Sequence, residues 1–316
     1  MLGDCIHGGS AWDSDDPNFR LFCYLPSKFC LPIWESDVTK RLVRVSQSTS
    51  VIKIMNSTQK AKVESIWSQD DSDDCIEATK LSVMQFKRLQ PFSSDPELTN
   101  EHLNVMKDLV MNLVSDIDPQ QTKVVLVMNT YFYVKLQQQS GDKSSFEQAE
   151  RWITKAHGSR ADMVQHLFEK EGHLKFPIHR KGHPTGHWFY TKIDFKNRQV
   201  CFMDSIPQDH TTEFQVIVSF LKHLERDTAK CQLNEWQMEE IQVPRQTNNY
   251  DCGFFTVLFM LYSVVSIFKN TPPMFPFDQS DIDNARYVMA VAFMENSLTT
   301  VLEEWFLDFC ESKYRN

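Results

Sequence analysis

Three side chains of the kinds that run nucleophilic acyl chemistry, His187, Asp204 and Cys252, occur in settings able to activate them. Cys252 lies between Asp251 and Gly253, directly ahead of an uncharged apolar run, 254–268. A cysteine opening such a helix faces unsatisfied backbone N–H groups and the positive end of the helix dipole, which favour the reactive thiolate. Gly253 carries no side chain, so backbone there can approach a substrate carbonyl closely. A lone cysteine is ordinarily an inert, buried small residue, so this chemistry also requires a base and a group to orient it.

Both come from a candidate hairpin. Residues 187–194 (HWFYTKID) and 199–204 (QVCFMD) read as strands flanking the turn FKNR. An even-length turn pairs 194 with 199 and, by extension, 189 with 204. Side chains alternate along a strand, so His187 shares a face with Phe189, and Asp204 lies diagonally across, about 7–8 Å away between Cα atoms. A carboxylate reaches an imidazole over that span. A three-residue turn would put Asp204 on the opposite face, so an even turn is a condition of the argument. Gln246, in the polar stretch PRQTNN ahead of Cys252, carries a neutral amide that can donate to a developing oxyanion.

The elements that must hold these residues follow from periodicity. Leu103, Met106, Val110, Leu113, Val114 and Ile117 recur at helical spacing, and Asp118-Pro119 ends the run. The segment 124–134 (VVLVMNTYFYV) reads as a buried strand or aromatic-rich segment. Helices are expected over 145–155 and 160–169, a strand over 174–178, a turn at 180–186 (RKGHPTG), and a helix over 214–224. A strand ending near Val243, the apolar helix after Cys252 and a helical segment from about 282 onward complete the order. Helices and strands mix without strict alternation, which points to an α+β fold. The run from Cys252 to Phe268 is shorter than the ~20 apolar residues of a membrane span and reads as a buried core helix. Residues 1–30 read as irregular, 38–54 as one or two strands, and the acidic stretch Asp70, Asp71, Asp73 and Asp74 either as a boundary between an extension over 1–75 and a catalytic domain over 76–316 or as a solvated loop inside one continuous domain.

Among 316 residues, Lys+Arg number 33 and Asp+Glu 42, giving a net charge of -9. No general attraction to phosphate backbones or anionic lipid is expected, so neither nucleic acid nor a membrane is an expected partner. The 8 cysteines (5, 23, 30, 75, 201, 231, 252 and 310) are scattered without close pairs, and the N-terminus has no apolar stretch of signal type, which fits an intracellular, reducing compartment, nucleus or cytoplasm. His179, His183 and His187 have a spacing that would gather a metal on a helix, but Gly182, Pro184 and Gly186 oppose that helix. No metal or other cofactor is expected.

Taken together, G-H-W at 186–188, D-S at 204–205 and Q-x-N-x-x-D-C-G at 246–253 resemble the Ulp/SENP family of ubiquitin-like-protein cysteine proteases. FPIH at 176–179, MNTYFYVKL at 128–136, Arg151-Trp152, FDQSDIDNAR at 277–286 and KLSVMQFKRL at 80–89 are similar to further family segments in the same order. The resemblance implies a papain-like cysteine protease fold, a mixed sheet flanked by helices with the nucleophile at a helix N-terminus. It implies that Cys252 attacks, His187 is base and then acid, Asp204 orients the imidazole, and Gln246 with the Cys252 backbone N–H binds the oxyanion. It further implies cleavage after the C-terminal diglycine of SUMO or a related modifier, by a monomer, with Trp188 as an aromatic lid over the diglycine tail. One departure stands out: the family's W-L-N-D, whose tryptophan forms the other tunnel wall, is here Leu98-Thr99-Asn100-Glu101. The same triad could instead pass an acyl group to another acceptor, and a module that only binds a ubiquitin-like protein is the non-enzymatic alternative.

Overall fold

The computed structural model describes residues 50–72, 74–76, 81–138, 143–182, 186–226 and 235–314. The expectations for 1–30 and 38–49, for Cys5, Cys23, Cys30 and Cys231 and for His183 lie outside the described residues. Helix α1 (Ser57–Trp67) precedes a short antiparallel pair, β1 (Cys75–Ile76) and β2 (Leu81–Ser82), and helix α2 (Val83–Lys87). Then come α3 (Asn100–Ile117), α4 (Gln121–Val124), β3 (Val125–Val127), α5 (Tyr131–Gln137), α6 (Lys143–His157) and α7 (Arg160–Val164). Strands β4 (His173–Arg180), β5 (His187–Asp194) and β6 (Gln199–Met203) lead to α8 (Thr211–Glu225) and β7 (Gln237–Glu240). Helices α9 (Cys252–Lys269), α10 (Ile282–Glu295) and α11 (Glu304–Tyr314) close the chain.

The five longer-range strands form one mixed sheet in the order β3-β4-β5-β6-β7, antiparallel in the middle and parallel at both outer pairs. This is the α+β architecture expected. The sheet is covered on both faces, and β5 shows why its sequence is nearly continuous in bulky residues. Trp188 and Tyr190 point into one core with α1, α3, α9 and α10, while Phe189 and Ile193 point into a second with α5, α6 and α8. Helix α9 lies in the first core; it is long and apolar enough to cross a membrane, yet 89% of it is buried inside the protein.

Two segments read with alternatives take one form each. The segment 124–134 is not one extended piece: β3 stops at Val127, and the Asn129 side chain accepts the Tyr131 N–H at 3.1 Å, an Asx turn that starts α5. The acidic stretch around Asp70 and Asp71 is an exposed loop, with Asp71 paired to Lys87 at 2.7 Å. Residues on its N-terminal side share the same core as those beyond it. Val51, Met55, Val63 and Trp67 are buried there, Lys53 N–H donates to the Val301 carbonyl at 2.9 Å, and Trp67 packs on Tyr287 with ring centroids 5.0 Å apart. Apolar side chains at 51–67, not the charges after them, therefore decide where this part of the chain lies.

One buried charge-bearing residue ties the sheet to α9. Lys175 on β4 is fully buried, and its Nζ donates to the Ser263 carbonyl at 2.6 Å and meets the Ser263 hydroxyl at 3.2 Å. Burial pushes its pKa well below the ordinary 10.5. The unfolded chain thus binds this proton more readily than the folded one. This group makes stability rise with pH between its folded value and 10.5, and its cost is fully present below that window. In Lys175→Met the difference in unfolding free energy from the parent, measured with urea, should be most favourable to the variant at neutral pH, by about 1 kcal/mol or more, and should shrink as pH rises towards 10. A difference that does not change with pH would show that Lys175 does not titrate abnormally.

Candidate active site

The hairpin brings His187 and Asp204 together. Asp194 pairs with Gln199 across a four-residue turn, the even length required, and the register runs back to Tyr190 opposite Met203. The turn is held by the Asp194 carboxylate, which accepts the Asn197 N–H at 3.1 Å, and by Arg198 in the left-handed region at φ 52. Asp204 follows the last β6 residue, and His187 Nε2 donates to its Oδ1 at 2.6 Å. Cys252 is the first residue of α9, 4% exposed, and lies near enough to His187 for its thiol to act on the imidazole. Because Nε2 is engaged by Asp204, the ring presents Nδ1 to the sulfur.

Electrostatics follow from these contacts. Burial alone would lower the His187 pKa, but the hydrogen bonds and charges of Asp204 and Cys252 outweigh it and bring the imidazole up to about 9. Burial likewise would raise Asp204; the donors His187, His210 and the Ile206 N–H (2.8 Å) hold it below the usual carboxylate range. His210, whose Nε2 meets Asp204 Oδ2 at 3.1 Å, was not singled out from sequence, because a single histidine ahead of a helix belongs to no motif.

The backbone around Cys252 is the first turn of α9. Helix hydrogen bonding begins where Phe255 N–H donates to the Asp251 carbonyl at 3.1 Å, so the N–H groups of Cys252, Gly253 and Phe254 precede the helical ladder. Gln246 lies in the preceding loop with both ends of its amide fixed. Its Oε1 accepts from the Ser205 hydroxyl and its Nε2 donates to the Asn248 carbonyl, each at 2.6 Å, which settles the amide orientation and leaves one N–H of Nε2 for a further acceptor.

Leu98, Trp188 and Gly253 also come together. The Trp188 indole N–H donates to the Leu98 carbonyl at 3.0 Å, and a Cβ placed on Gly253 would lie 2.7 Å from Leu98 Cβ. The space left by the missing side chain at Gly253 is therefore filled by Leu98. Trp188 pairs with His179 across β4 and β5, its ring centroid 4.4 Å from the imidazole, so the cross-strand packing role is present. Leu98 itself is positioned by the start of α3. His102, fully buried, accepts the Thr99 N–H on Nδ1 at 3.1 Å and donates from Nε2 to the Gln85 carbonyl at 2.8 Å. Burial brings its pKa down to about 4, which preserves the neutral tautomer those two bonds require.

Residues 97–301, well over half of the chain, match the Ulp1 protease family, C-terminal catalytic domain. The chain belongs to this family. Sentrin-specific protease 2 of Homo sapiens is 30% identical over 158 residues, 48% of this chain and 24% of that protein. Ubiquitin-like-specific protease 1 of Saccharomyces cerevisiae is 21% identical over 184 residues, 58% of this chain and 25% of that protein. The chain thus spans about a quarter of the length of these relatives. The Chaetomium thermophilum Ulp1-like SUMO protease catalytic domain superposes with a TM-score of 0.63 at 16% identity, over 83% of this chain and 96% of that one. The C-terminal Ulp1 protease domain solved in complex with Smt3, the yeast ortholog of SUMO, gives 0.57 at 18% identity, over 79% and 100%. These likenesses establish the papain-like Ulp fold.

Within the Ulp1-family fold, the segment 277–286 has a structural task that its sequence alone did not disclose. Asp251, immediately before Cys252, is 3% exposed and does not cap α9. Its Oδ1 binds the Arg286 guanidinium, and its Oδ2 accepts from Asn248 Nδ2 at 2.6 Å and Gln279 Nε2 at 2.7 Å. Arg286, also 3% exposed, stacks over the Phe254 ring at 4.1 Å. The loop ahead of Cys252 is thereby locked to α10. Arg286→Leu leaves a buried carboxylate without its cation and should cost about 3–5 kcal/mol in chemical denaturation. A loss below about 1 kcal/mol would mean that Gln279 and Asn248 alone hold Asp251.

Proposed function

We propose that this chain is a thiol isopeptidase and endopeptidase that cleaves after the C-terminal diglycine of SUMO or a related ubiquitin-like modifier, in precursors or in conjugates on lysine. The observation that carries the reading is that His187 binds the Asp204 carboxylate at 2.6 Å and has its pKa raised both by that carboxylate and by the neighbouring Cys252 thiol. Membership of the Ulp1 protease family and the likeness to SUMO proteases support the substrate class. The free thiols at Cys201, Cys252 and Cys310 agree with work in a reducing intracellular compartment.

In the proposed reaction, His187 carries a proton on both nitrogens at neutral pH, because its pKa is about 9, and an imidazolium is the partner that a thiolate at Cys252 needs. The sulfur attacks the carbonyl carbon of the terminal glycine. The resulting oxyanion sits where the Cys252 backbone N–H and the remaining Gln246 N–H can both donate. His187 then gives its Nδ1 proton to the departing lysine amine as the C–N bond breaks, leaving a thioester. Water attacks the thioester with His187 as base, releasing the modifier carboxylate and restoring the thiol. Asp204 keeps the ring in the orientation and tautomer that both steps share. Leu98 and Trp188, joined by their hydrogen bond beside Gly253, form the wall of the approach to Cys252, and the diglycine tail is the substrate segment slim enough to pass there.

Cys252→Ala should bring cleavage of a modifier–lysine conjugate down by about 10⁴-fold or more while binding persists. Measurable turnover above background would remove Cys252 as nucleophile. Release of free modifier supports a hydrolase, whereas modifier appearing on a new acceptor amine would make the chain a transferase.

The pH profile is a separate check. Turnover should fall as pH rises through about 9, where His187 loses the proton owed to the leaving amine. Asp204→Asn should lower kcat by up to about 10⁴-fold and move that alkaline limb down towards the ordinary 6.5, since a raising partner is lost. An alkaline limb unchanged by the substitution would exclude Asp204 from the triad.

A further inference from the structure

Behind Asp204 stands a second imidazole that the reaction as written does not use. His210 is fully buried just ahead of α8, where its carbonyl accepts the Phe214 N–H at 2.9 Å. Its Nε2 meets Asp204 Oδ2 at 3.1 Å, and its Nδ1 meets Glu240 Oε1, on β7, at 2.7 Å. A carboxylate accepts and does not donate, so both ring nitrogens carry hydrogen, and a ring with hydrogen on both is the imidazolium. Aromatic walls fix its plane: it stacks on Phe202 at 4.7 Å with 8° between planes and meets Phe189 at 4.8 Å, edge on.

The other charged groups nearby answer one another. Arg180 on β4 is paired with Glu213 of α8 at 2.7 Å and also donates to the Asp209 carbonyl at 2.9 Å. The Asp209 carboxylate is taken by Thr211, through its N–H at 2.9 Å and its hydroxyl at 2.5 Å. Arg245, from the segment after β7, donates to the Asp204 carbonyl oxygen at 2.7 Å, and His187 faces Asp204 from the far side. The two carboxylates remaining in contact with His210 are those of Asp204 and Glu240.

We propose that His210 is a positioning residue of this site: clamped between Asp204 and Glu240, it fixes the Asp204 carboxylate in the orientation that meets His187 Nε2 and keeps it ionised. The proposal rests on the reading of Cys252, His187 and Asp204 as the triad. Oδ1 of Asp204 has two donors, His187 and the Ile206 N–H, whereas Oδ2 has His210. Without that donor, Oδ2 faces the rings that now hold His210, a setting that favours rotation or protonation of the carboxyl. A protonated Asp204 no longer orients His187 as a charged acceptor, so turnover would be lost from the acid side.

The test compares kcat, KM and the pH profile of cleavage of a diglycine-linked fluorogenic modifier by the full chain and three variants. His210→Phe keeps a ring between Phe202 and Phe189 but has no donor. It should lower kcat about 10- to 100-fold with KM within about twofold, and raise the acid limb by about one pH unit. His210→Gln can still donate to Asp204 and should recover part of kcat. Glu240→Gln, at a side chain half exposed to solvent, should move the acid limb in the same direction by less. The pH dependence of Cys252 alkylation by iodoacetamide should shift in parallel, a readout that substrate binding does not touch. An acid limb and kcat at parental values in His210→Phe, or a change confined to KM or to thermal stability, would overturn the proposal. If His210→Phe does not fold, Glu240→Gln decides. A parent chain that binds the modifier but does not cleave it refutes the triad reading instead, and parental cleavage with unshifted variants refutes the role of His210 alone.

Discussion

The contact between His187 and Asp204 depends on the parity of one turn. Side chains alternate faces along a strand, so inserting or deleting a single residue between Asp194 and Gln199 would turn Asp204 to the other side of the sheet and away from the imidazole. The structure protects that count with local bonds: the Asp194 carboxylate closes the turn onto Asn197, and Arg198 takes the left-handed backbone that four residues need. Cys252 comes from a different element, and its position is guarded separately by the buried pair of Asp251 and Arg286. The site is therefore the meeting of two independently locked pieces, a hairpin end and a helix start.

Both locks spend buried charge, and the pattern is consistent. Asp204, Asp251, Arg286 and His210 are all nearly or fully buried, and each is answered by charged or strongly polar partners. Burying an ionised group without such partners costs several kcal/mol, so these networks specify one arrangement rather than merely adding stability. Lys175 marks the other limit. It is buried against Ser263, and its pKa falls well below the ordinary value because the surroundings favour the neutral amine. The aromatic-rich β5 supplies the dry walls that make the polar contacts strong, with His187 stacked beside Phe189 at 6.2 Å.

What could be read from the sequence was what depends on local spacing. The α+β mixture, the helix after Cys252, the amphipathic α3 and the 194–199 register all follow from periods of two or three to four residues, and the structure has them. What could not be read depends on contacts remote in sequence. The acidic loop looked like a border because charge runs are solvated, yet Val51 and Trp67 before it pack with α10, far along the chain. Arg286 and Gln279 were noticed as part of a family-like segment, but their bond to Asp251 needs the fold to bring α10 beside the loop. His210 lacked even that signal, since a histidine is informative only once its two neighbours are known to be carboxylates.

The replacement of a family-like tryptophan by Leu98 is best understood through its backbone. The bond that joins the two sides beside Cys252 runs from the Trp188 indole to the Leu98 carbonyl, an atom every residue at that position would supply. The Leu98 side chain instead lies against Gly253, where 2.7 Å separates its Cβ from the place a Gly253 Cβ would occupy. A larger side chain at position 98 could not point in that direction without moving α9 or the loop before it. Leucine and glycine therefore fit against each other, while the indole of Trp188 packs on His179 across the strands. The carbonyl that anchors the indole belongs to the peptide bond that ends in the Thr99 N–H, and that N–H is held by His102 at the start of α3, so the Trp188–Leu98 contact is tied to the cap of α3.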